Sequence, residues 1–508
     1  MTGIDVPAAD PERMADAMPK VIVIGGGPGG STAAGLLARG GTEVKLLERA
    51  EFPRYHIGES ITTSCRAIID YVGALDKVNA CGFTSKTGVL MRWGREQDWV
   101  IDWTAQFGSD TRSWQVDREI FDKVLLDNAA DSGAEVVQQA TVKRVLFDGD
   151  RAVGVEWQPA GGELRVETAD YVVDASGRAG LVSAQHFHNR RPHEIFRNVA
   201  IWGYWENAEL LPGSPAGGIN VISSPDGWYW LIPLRDNRFS VGFVTHKTNF
   251  VERRREFDSQ EAMLTAMIDE SDTMRRVLAQ ATQLPDVRVE QDFSYAADKF
   301  CGDGYFLVGD SACFLDPLLS TGVHLAMYSG MLAAASILSL DRGEVNEPEA
   351  QAFFESLYRN AYHRLFTLVI SFYQQHAGKD RYFALADTLS RGEQGDGTRS
   401  ADLAFGEIIA GLTDLREAAD RAGKAAAPIA ETIDAAATGG AKPVQELLGA
   451  AEQARRRAEE AAPNHRLTMA PMYIDANDLY DAASGLYLVT EPRLGISRVS
   501  SGATVPAG

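Results

Sequence analysis

From Lys20 the chain reads as a short β-branched run, Val21 to Ile24, then a cluster of glycines, a small-residue stretch of helical character from Ser31 to Arg39, and a second apolar run from Glu43 to Leu47. Short apolar runs bounded by turn residues mark buried strands, and strand, helix and strand within about 30 residues make a βαβ unit. Similar runs return at Ala134 to Arg144, Tyr171 to Ala175 and Tyr305 to Val308. One nucleotide-binding sheet is therefore expected, assembled from segments scattered over residues 20–350. Two other stretches, about 85–117 and 195–290, alternate polar with apolar and are rich in Trp and Phe, as in GVLMRWGREQDWVIDW and WYWLIPLRDNRFSVGFVTH. Alternation of period two predicts antiparallel strands of a second sheet on the substrate side.

After Glu347 the period changes. Phe353, Leu357, Tyr358, Tyr362, Leu365, Leu368 and Val369 recur at spacings of three and four, which predicts a helix through Gln375. Residues 417–461 are Ala-rich with Arg and Glu, a composition that favours helix, broken at Gly439-Gly440 and Pro443. Residues 351–508 are accordingly expected to form a C-terminal helical region. The basic run Arg455 to Arg457 is surrounded by Glu452, Glu459 and Glu460 and reads as a solvated helix face. Residues 1–19 mix Asp, Glu, Pro and Arg, lack the apolar stretch of a secretory signal, and are expected to be a loose tail.

Composition narrows the partners. The 508 residues are 45% hydrophobic and 23% charged, an ordinary globular balance for an α/β protein. A net charge of −21 argues against nucleic acid or an anionic membrane as partner. No segment reaches the about 20 apolar residues that cross a bilayer; the best run, Met327 to Leu340, carries Ser329, Gly330 and Ser336. Cys65, Cys81, Cys301 and Cys313 show neither metal-ligand spacing nor disulfide-scaffold density, so a reducing cytoplasmic setting and no metal are expected.

Gly25, Gly27 and Gly30 follow the first strand in the G-x-G-x-x-G arrangement. The first permits the tight turn, the second lets a pyrophosphate approach the backbone, and the third lets the helix pack on the strand. The helix N-terminus then offers unpaired N–H groups to phosphate. Glu48, with Arg49 beside it, ends the second strand where an acid can accept both ribose hydroxyls. These residues predict a dinucleotide site.

Six further features carry a resemblance. Phe306-Leu-Val-Gly-Asp310 resembles the second flavin-binding motif of the glutathione-reductase-like FAD monooxygenases, and Arg118 with Phe121-Asp122 and Leu125 resembles their R-x-x-F-D-x-x-L segment. Gly227-Trp228-Tyr-Trp230-Leu-Ile232-Pro233 matches the W-x-W-x-I-P signature of flavin-dependent halogenases, and Phe52 to Ser60 looks like their stretch beside the isoalloxazine. Leu315 to Ala326 matches their chloride-binding loop, and Lys86 their lysine between flavin and substrate. The resemblance covers roughly residues 20–375. It implies a glutathione-reductase-like FAD-binding fold, in which Asp310 binds the ribityl chain, Arg118 lies beside the cofactor, and Thr321 and Gly322 hold chloride. It also implies a separate flavin reductase that delivers reduced FAD, and O₂ and chloride as co-substrates. Hypochlorous acid then passes to Lys86, and an electron-rich small aromatic substrate, free or tethered to a carrier protein, is chlorinated. Trp228 and Trp230, two apart on a strand, project to one face and form a wall between substrate and flavin. As an ammonium, Lys86 polarises the oxidant by hydrogen bonding; as a free amine, it is itself chlorinated first.

Two departures matter. Tryptophan-acting members have a glutamate two residues before the loop threonine, where this chain has Leu319. A phenol or pyrrole is therefore expected over tryptophan, since a ring that loses its own proton needs no carboxylate to stabilise its cation. Aromatic hydroxylases of the same fold carry a D-G-x-x-S stretch that helps dock NADPH, whereas this chain reads Asp174-Ala-Ser-Gly-Arg178. That disfavours a self-reducing hydroxylase; the other alternative is a catalytically silent flavin-binding protein.

Overall fold

The computed structural model describes residues 20–93, 98–107, 109–376, 479–481 and 483–498. The βαβ unit forms as the pattern demands: strand Lys20–Ile24, helix Pro28–Arg39 and strand Glu43–Leu47. The two strands pair in parallel, and Lys20–Ile24 sits centrally in a six-stranded sheet, flanked on its other side by Tyr171–Asp174 and then Tyr305–Leu307. Strands buried on both faces read as continuous apolar runs, which is why Val21 to Ile24 shows no alternation. The sheet is covered on one side by a close crossing of helix Pro28–Arg39 with helix Gly322–Asp341. A Cβ on Gly29 would meet Val308 Cγ1 at 2.6 Å, and one on Gly330 would meet the Gly29 carbonyl oxygen at 2.4 Å.

The expected strand at Ala134 to Arg144 is two elements. Glu135–Val137 completes the edge of the nucleotide sheet, the chain turns at Gln139 with φ 56°, and Ala140–Asp148 starts a separate three-stranded meander with Arg151–Pro159 and Arg165–Thr168. A single residue in the left-handed region redirects the chain at the short Gln138-Gln139 interruption.

The second sheet has nine strands, centred on the long strand Arg190–Glu206, with Arg238–His246, Gly227–Pro233, Ile219–Ser224 and Gly88–Arg92 following in order on one side. Period two sorts its side chains: Trp228 and Trp230 enter the main core, while Tyr229 and Leu231 enter a second core. Within 195–290, residues 247–277 are helical instead of strand, in helices Lys247–Arg254, Gln260–Glu270 and Asp272–Val277. They cover the outer face with Met263, Leu264, Met267 and Met274. Thr84–Lys86 pairs with Ser113–Gln115 as a two-stranded ribbon beside this sheet.

The long helix Glu347–His376 matches the expected period. The rest of the C-terminal region departs from expectation: Tyr480–Asp481, Leu486–Val489 and Gly495–Arg498 form a three-stranded meander. It is tied to helix Gly322–Asp341 by the Ile496 amide, which donates to Ser339 Oγ at 2.7 Å. The Ala-rich stretch 417–461 and the tail 1–19 lie outside the described residues. Helix Gly322–Asp341 has the length and apolarity of a membrane span, but most of it is buried in the fold.

Candidate active site

The glycine turn is built for close approach. Gly25 has φ +100°, and a Cβ there would meet the Ala175 carbonyl oxygen at 2.4 Å; a Cβ on Gly30 would lie 1.9 Å from the Gly25 carbonyl oxygen. Gly27 differs, because a Cβ there meets nothing nearer than Arg54 Nη2 at 3.7 Å. The space over Gly27 is open in the chain itself, as a cradle for a pyrophosphate requires. Glu48 is buried, its Oε2 accepting from the Gly26 amide at 2.6 Å and its Oε1 from the Ala50 amide at 2.8 Å. These bonds orient the carboxylate and leave lone pairs for ribose hydroxyls. Arg49 is exposed, and no hydrogen bond or ion pair joins it to the other site residues among those described.

Arg118 opens helix Arg118–Asp131 and forms a bidentate pair with Asp122 one turn on, at 2.8 and 2.9 Å. Its Nη1 donates to the Ile57 carbonyl at 2.6 Å, so the same guanidinium clamps the Phe52 to Ser60 segment. Burial opposes ionisation of Asp122, but the Arg118 and Arg54 charges outweigh it and hold the carboxyl below its usual range. Asp310 follows Gly309, which has φ +63°. Its backbone carbonyl accepts from Arg190 Nη2 and the Tyr295 hydroxyl, while no hydrogen bond reaches its carboxylate among the described residues. Burial raises its pKa against the pull of Arg178, Arg118 and Arg190. The open acceptor at Asp310, the oriented Glu48 and the uncrowded backbone at Gly27 together fit a flavin dinucleotide.

Lys86 is 2% exposed. The ribbon register sets it opposite Ser113, and Ser113 Oγ bonds the Thr62 carbonyl, which brings the start of helix Thr63–Tyr71 alongside. Lys86 Nζ donates to Ser60 Oγ at 2.7 Å and to the Ile61 carbonyl at 3.2 Å, and lies 5.1 Å from the Trp103 ring centroid. Burial lowers its ammonium from 10.5 to about 7. Lys86 lines a small cavity with Thr62, Trp103, Leu318, Leu319 and Ser320. The fold thus joins Lys86 to the loop that carries Thr321 and Gly322. Trp103, itself 1% exposed, keeps an indole N–H without a hydrogen-bond partner among the described residues.

The loop itself is a 3₁₀ turn, Pro317–Leu319, then Ser320 in the left-handed region and Thr321 as cap of helix Gly322–Asp341. First-turn amides have no carbonyl partner within the helix. Thr321 Oγ1 is buried without a hydrogen-bond partner among the described residues, and a Cβ on Gly322 would meet nothing within 4 Å. The space over Gly322 is therefore open beside N–H donors and a positive dipole end. Trp228 and Trp230 stand with centroids 6.0 Å apart, and Trp230 is 6.2 Å from Trp202. They do not line the Lys86 cavity; they share the sheet face that supplies its Val89, Met91 and Ile219.

Sequence reasoning missed Ser60, Trp103 and, below the loop, Asp316. Asp316 is 1% exposed and caps the Pro317–Leu319 turn, its Oδ1 accepting from the Leu318 amide at 3.1 Å. Burial raises its carboxyl to about 6 in spite of hydrogen bonds from Asn198 and Tyr373. An Asp directly before Pro317 was the available signal, since the pair is a turn initiator.

A dinucleotide cradle on a parallel sheet, with a buried amine and an open helix-start turn under a second sheet, fits a dinucleotide-dependent oxidoreductase. A family model described as tryptophan halogenase matches residues 20–115 and 105–390. A tryptophan 2-halogenase of Chondromyces crocatus is 40% identical over 494 residues, 94% of each chain. A flavin-dependent halogenase of Armillaria mellea is 34% identical over 422 residues, 78% of each chain. Among solved structures, the myxobacterial chondrochloren halogenase CndH, described as a FAD-dependent halogenase, is 35% identical with a TM-score of 0.67, covering 84% of this chain and 98% of that one. The flavin-dependent halogenase CmlS has the same TM-score at 31% identity, covering 77% of each chain. The chain belongs to the flavin-dependent halogenase family, and the hydroxylase and silent-binder alternatives give way to that assignment.

The glycine geometry predicts a contrast. Gly27→Ala should fold normally yet lose FAD affinity by at least about tenfold, whereas Gly30→Ala should lower the melting temperature; equal FAD affinity in folded Gly27→Ala would place the pyrophosphate elsewhere. Lys86 predicts a stability signature. Below about pH 7 the amine is charged in folded and unfolded chains alike and the burial penalty is felt in full. Between about 7 and 10.5 the folded chain binds fewer protons than the unfolded one, so stability rises with pH. Lys86→Met should therefore raise the melting temperature near neutral pH, and by less at about pH 10. A variant no more stable than wild type at neutral pH would contradict a costly buried amine.

Proposed function

We propose that this halogenase chlorinates a phenolic or pyrrolic ring, free or tethered to a carrier protein, using FAD reduced by a separate reductase, with O₂ and chloride as co-substrates. The observation that carries the reading is the single cavity shared by Lys86 and the Leu318 to Ser320 turn. Reduced flavin supplies O₂ activation and, with halide, hypohalous acid. Gly25, Gly27, Gly30, Glu48, Arg118 and Asp310 hold the dinucleotide; Arg49, exposed beside Glu48, has room to reach its outer edge. Thr321 and Gly322 hold the halide through N–H groups and the Thr321 hydroxyl. Trp228 and Trp230 keep the ring away from the flavin. Lys86, with two hydrogen bonds already made, turns its remaining position to the cavity: a third N–H when charged, a lone pair when neutral. An amine near pKa 7 populates both forms at neutral pH.

Two features support a ring that supplies its own proton. No carboxylate lines the cavity where Leu319 sits, and the unpaired Trp103 N–H is a donor suited to a phenolic oxygen. A second reading, an indole substrate, is favoured by the name of the 40% identical relative. Turnover on a panel of phenols, pyrroles and tryptophan, with reductase and chloride, decides; tryptophan turned over far faster than every phenol and pyrrole would reverse the assignment. A reducing cytoplasmic location is proposed on the cysteine pattern, and all four cysteines are unpaired thiols.

Three outcomes are expected. Protein without reductase should oxidise NAD(P)H only slowly, because Ala175 and Arg178 stand in the NADPH-docking stretch; rapid flavin reduction by NADPH alone would contradict this. Thr321→Pro should weaken halide use while FAD stays bound. It removes an N–H, and Ser320 has a left-handed conformation that a residue before proline disfavours. Lys86→Ala should bind FAD but form little chlorinated product. Loss of one charge-assisted hydrogen bond is worth about 1.5–3 kcal/mol, a ten- to hundredfold fall at about 1.4 kcal/mol per tenfold. A much larger loss, unrescued by Lys86→Arg, indicates that the amine is itself chlorinated, since guanidinium keeps the donors but is a poor nucleophile. Near wild-type chlorination in folded Lys86→Ala would remove the lysine from the mechanism.

A further inference from the structure

The halide turn is anchored from below by a buried polar network whose members come from four separate parts of the chain. Asp316 Oδ2 accepts from Asn198 Nδ2 and from the Tyr373 hydroxyl, each at 2.8 Å, while Oδ1 accepts from the Leu318 amide. The Asp316 amide donates to Ser294 Oγ at 3.0 Å. Tyr373 lies on helix Glu347–His376, Asn198 on strand Arg190–Glu206 and Ser294 on strand Arg288–Ala297. A third strand, Gly227–Pro233, contributes Trp228, whose indole N–H donates to the Tyr373 hydroxyl oxygen at 2.6 Å.

The direction of every bond follows from the groups. An indole nitrogen only donates, and Asn198 Nδ2 also reaches the Tyr373 oxygen at 3.0 Å. With two N–H donors on its oxygen, Tyr373 directs its single proton to Asp316. Asp316 thus receives donors on both oxygens, a pattern made for a carboxylate, whose remaining bond caps the turn at Leu318. Four residues beyond Leu315 the chain has become the cavity wall at Leu319, and two further on it reaches Thr321. Any tilt of the capped turn moves Leu318, Leu319 and the helix-opening amides together.

We propose that Asp316 is a positioning residue of the halide site, that Tyr373 and Asn198 hold it, and that helix Glu347–His376 is thereby part of the scaffold that sets halide affinity. This rests on Thr321 and Gly322 being the halide-holding residues. The bridge also ties the turn to Trp228, so the wall that excludes the ring and the turn that holds the halide move as one unit. Asp316 does not touch halide, flavin or substrate; it acts through the turn.

Tyr373→Phe is the primary test because it keeps the ring that packs 5.3 Å from Phe196 and removes only the hydroxyl. Asp316→Ala is the stronger variant, and the conservative change remains decisive if that one fails to fold. Product formation measured against chloride concentration should show Tyr373→Phe raising the chloride KM at least fivefold, with kcat at saturating chloride within about twofold and FAD affinity unaltered. A merely structural role predicts a lower melting temperature or kcat with an unmoved chloride KM, and that result overturns the proposal. Thr321→Pro run in parallel separates the two claims. If it shifts the chloride KM and Tyr373→Phe does not, the positioning role is wrong and the halide site stands; if neither shifts it, the halide assignment falls as well.

Discussion

The site depends on one amine kept out of water. Lys86 is buried and held by two neutral acceptors, Ser60 Oγ and the Ile61 carbonyl, with an aromatic ring over it and no carboxylate bonded to it among the described residues. Burying a charge without a counter-charge is costly, and the amine answers by giving up its proton far more readily than a surface lysine does. The elements around it follow from that placement. The Thr84–Lys86 ribbon presents the side chain, Ser60 and Ile61 just before helix Thr63–Tyr71 supply the acceptors, and Leu318 and Leu319 of the Pro317–Leu319 turn line the same cavity. Such an arrangement lowers stability and is retained where a poised amine is needed.

Two sheets divide the remaining work. The parallel sheet places the glycine turn, Glu48 and Asp310 at the carboxyl ends of its strands, where open α/β sheets bind nucleotides. The second sheet, antiparallel except where Ile219–Ser224 pairs in parallel with Gly88–Arg92, presents its Trp-bearing face to the same core. The close crossing at Gly29 and Gly330 sets the helix whose N-terminus opens at Thr321 directly against the helix that follows the cradle. The glycine cradle and the Pro317–Leu319 turn are consequently held at fixed separation by helix packing instead of by a loop.

Much of this was legible in the chain, and what was hidden has physical reasons. The βαβ unit declared itself because strand, turn and helix signals agree locally over Lys20 to Leu47. Trp228 and Trp230 share a face because a strand alternates. Lys86 and Leu319 could be named from motifs, but that they line one cavity depends on long-range packing between residues far apart in sequence. Asp316 and Tyr373 were missed for the same reason: 57 positions separate them, and neither a lone Asp before Pro nor a Tyr on an apolar helix face signals a network. The turn at Gln139 was hidden because only two polar residues, Gln138 and Gln139, interrupt the apolar pattern before it resumes. Residues 247–277 were read as strand because their helical cover is nested inside a strand-rich region, and the Tyr480 to Arg498 meander was masked by the helix-favouring stretch before it.

The most direct measurement is the titration of Lys86 itself. With lysines carrying ¹³C at the ε position, NMR should show one resonance that titrates near pH 7, distinct from lysines in the ordinary range near 10.5, and missing from Lys86→Met. If every lysine keeps its proton until that ordinary range, the amine is not sequestered as described, and the account of a poised Lys86 in the cavity it shares with the Leu318 to Ser320 turn is wrong.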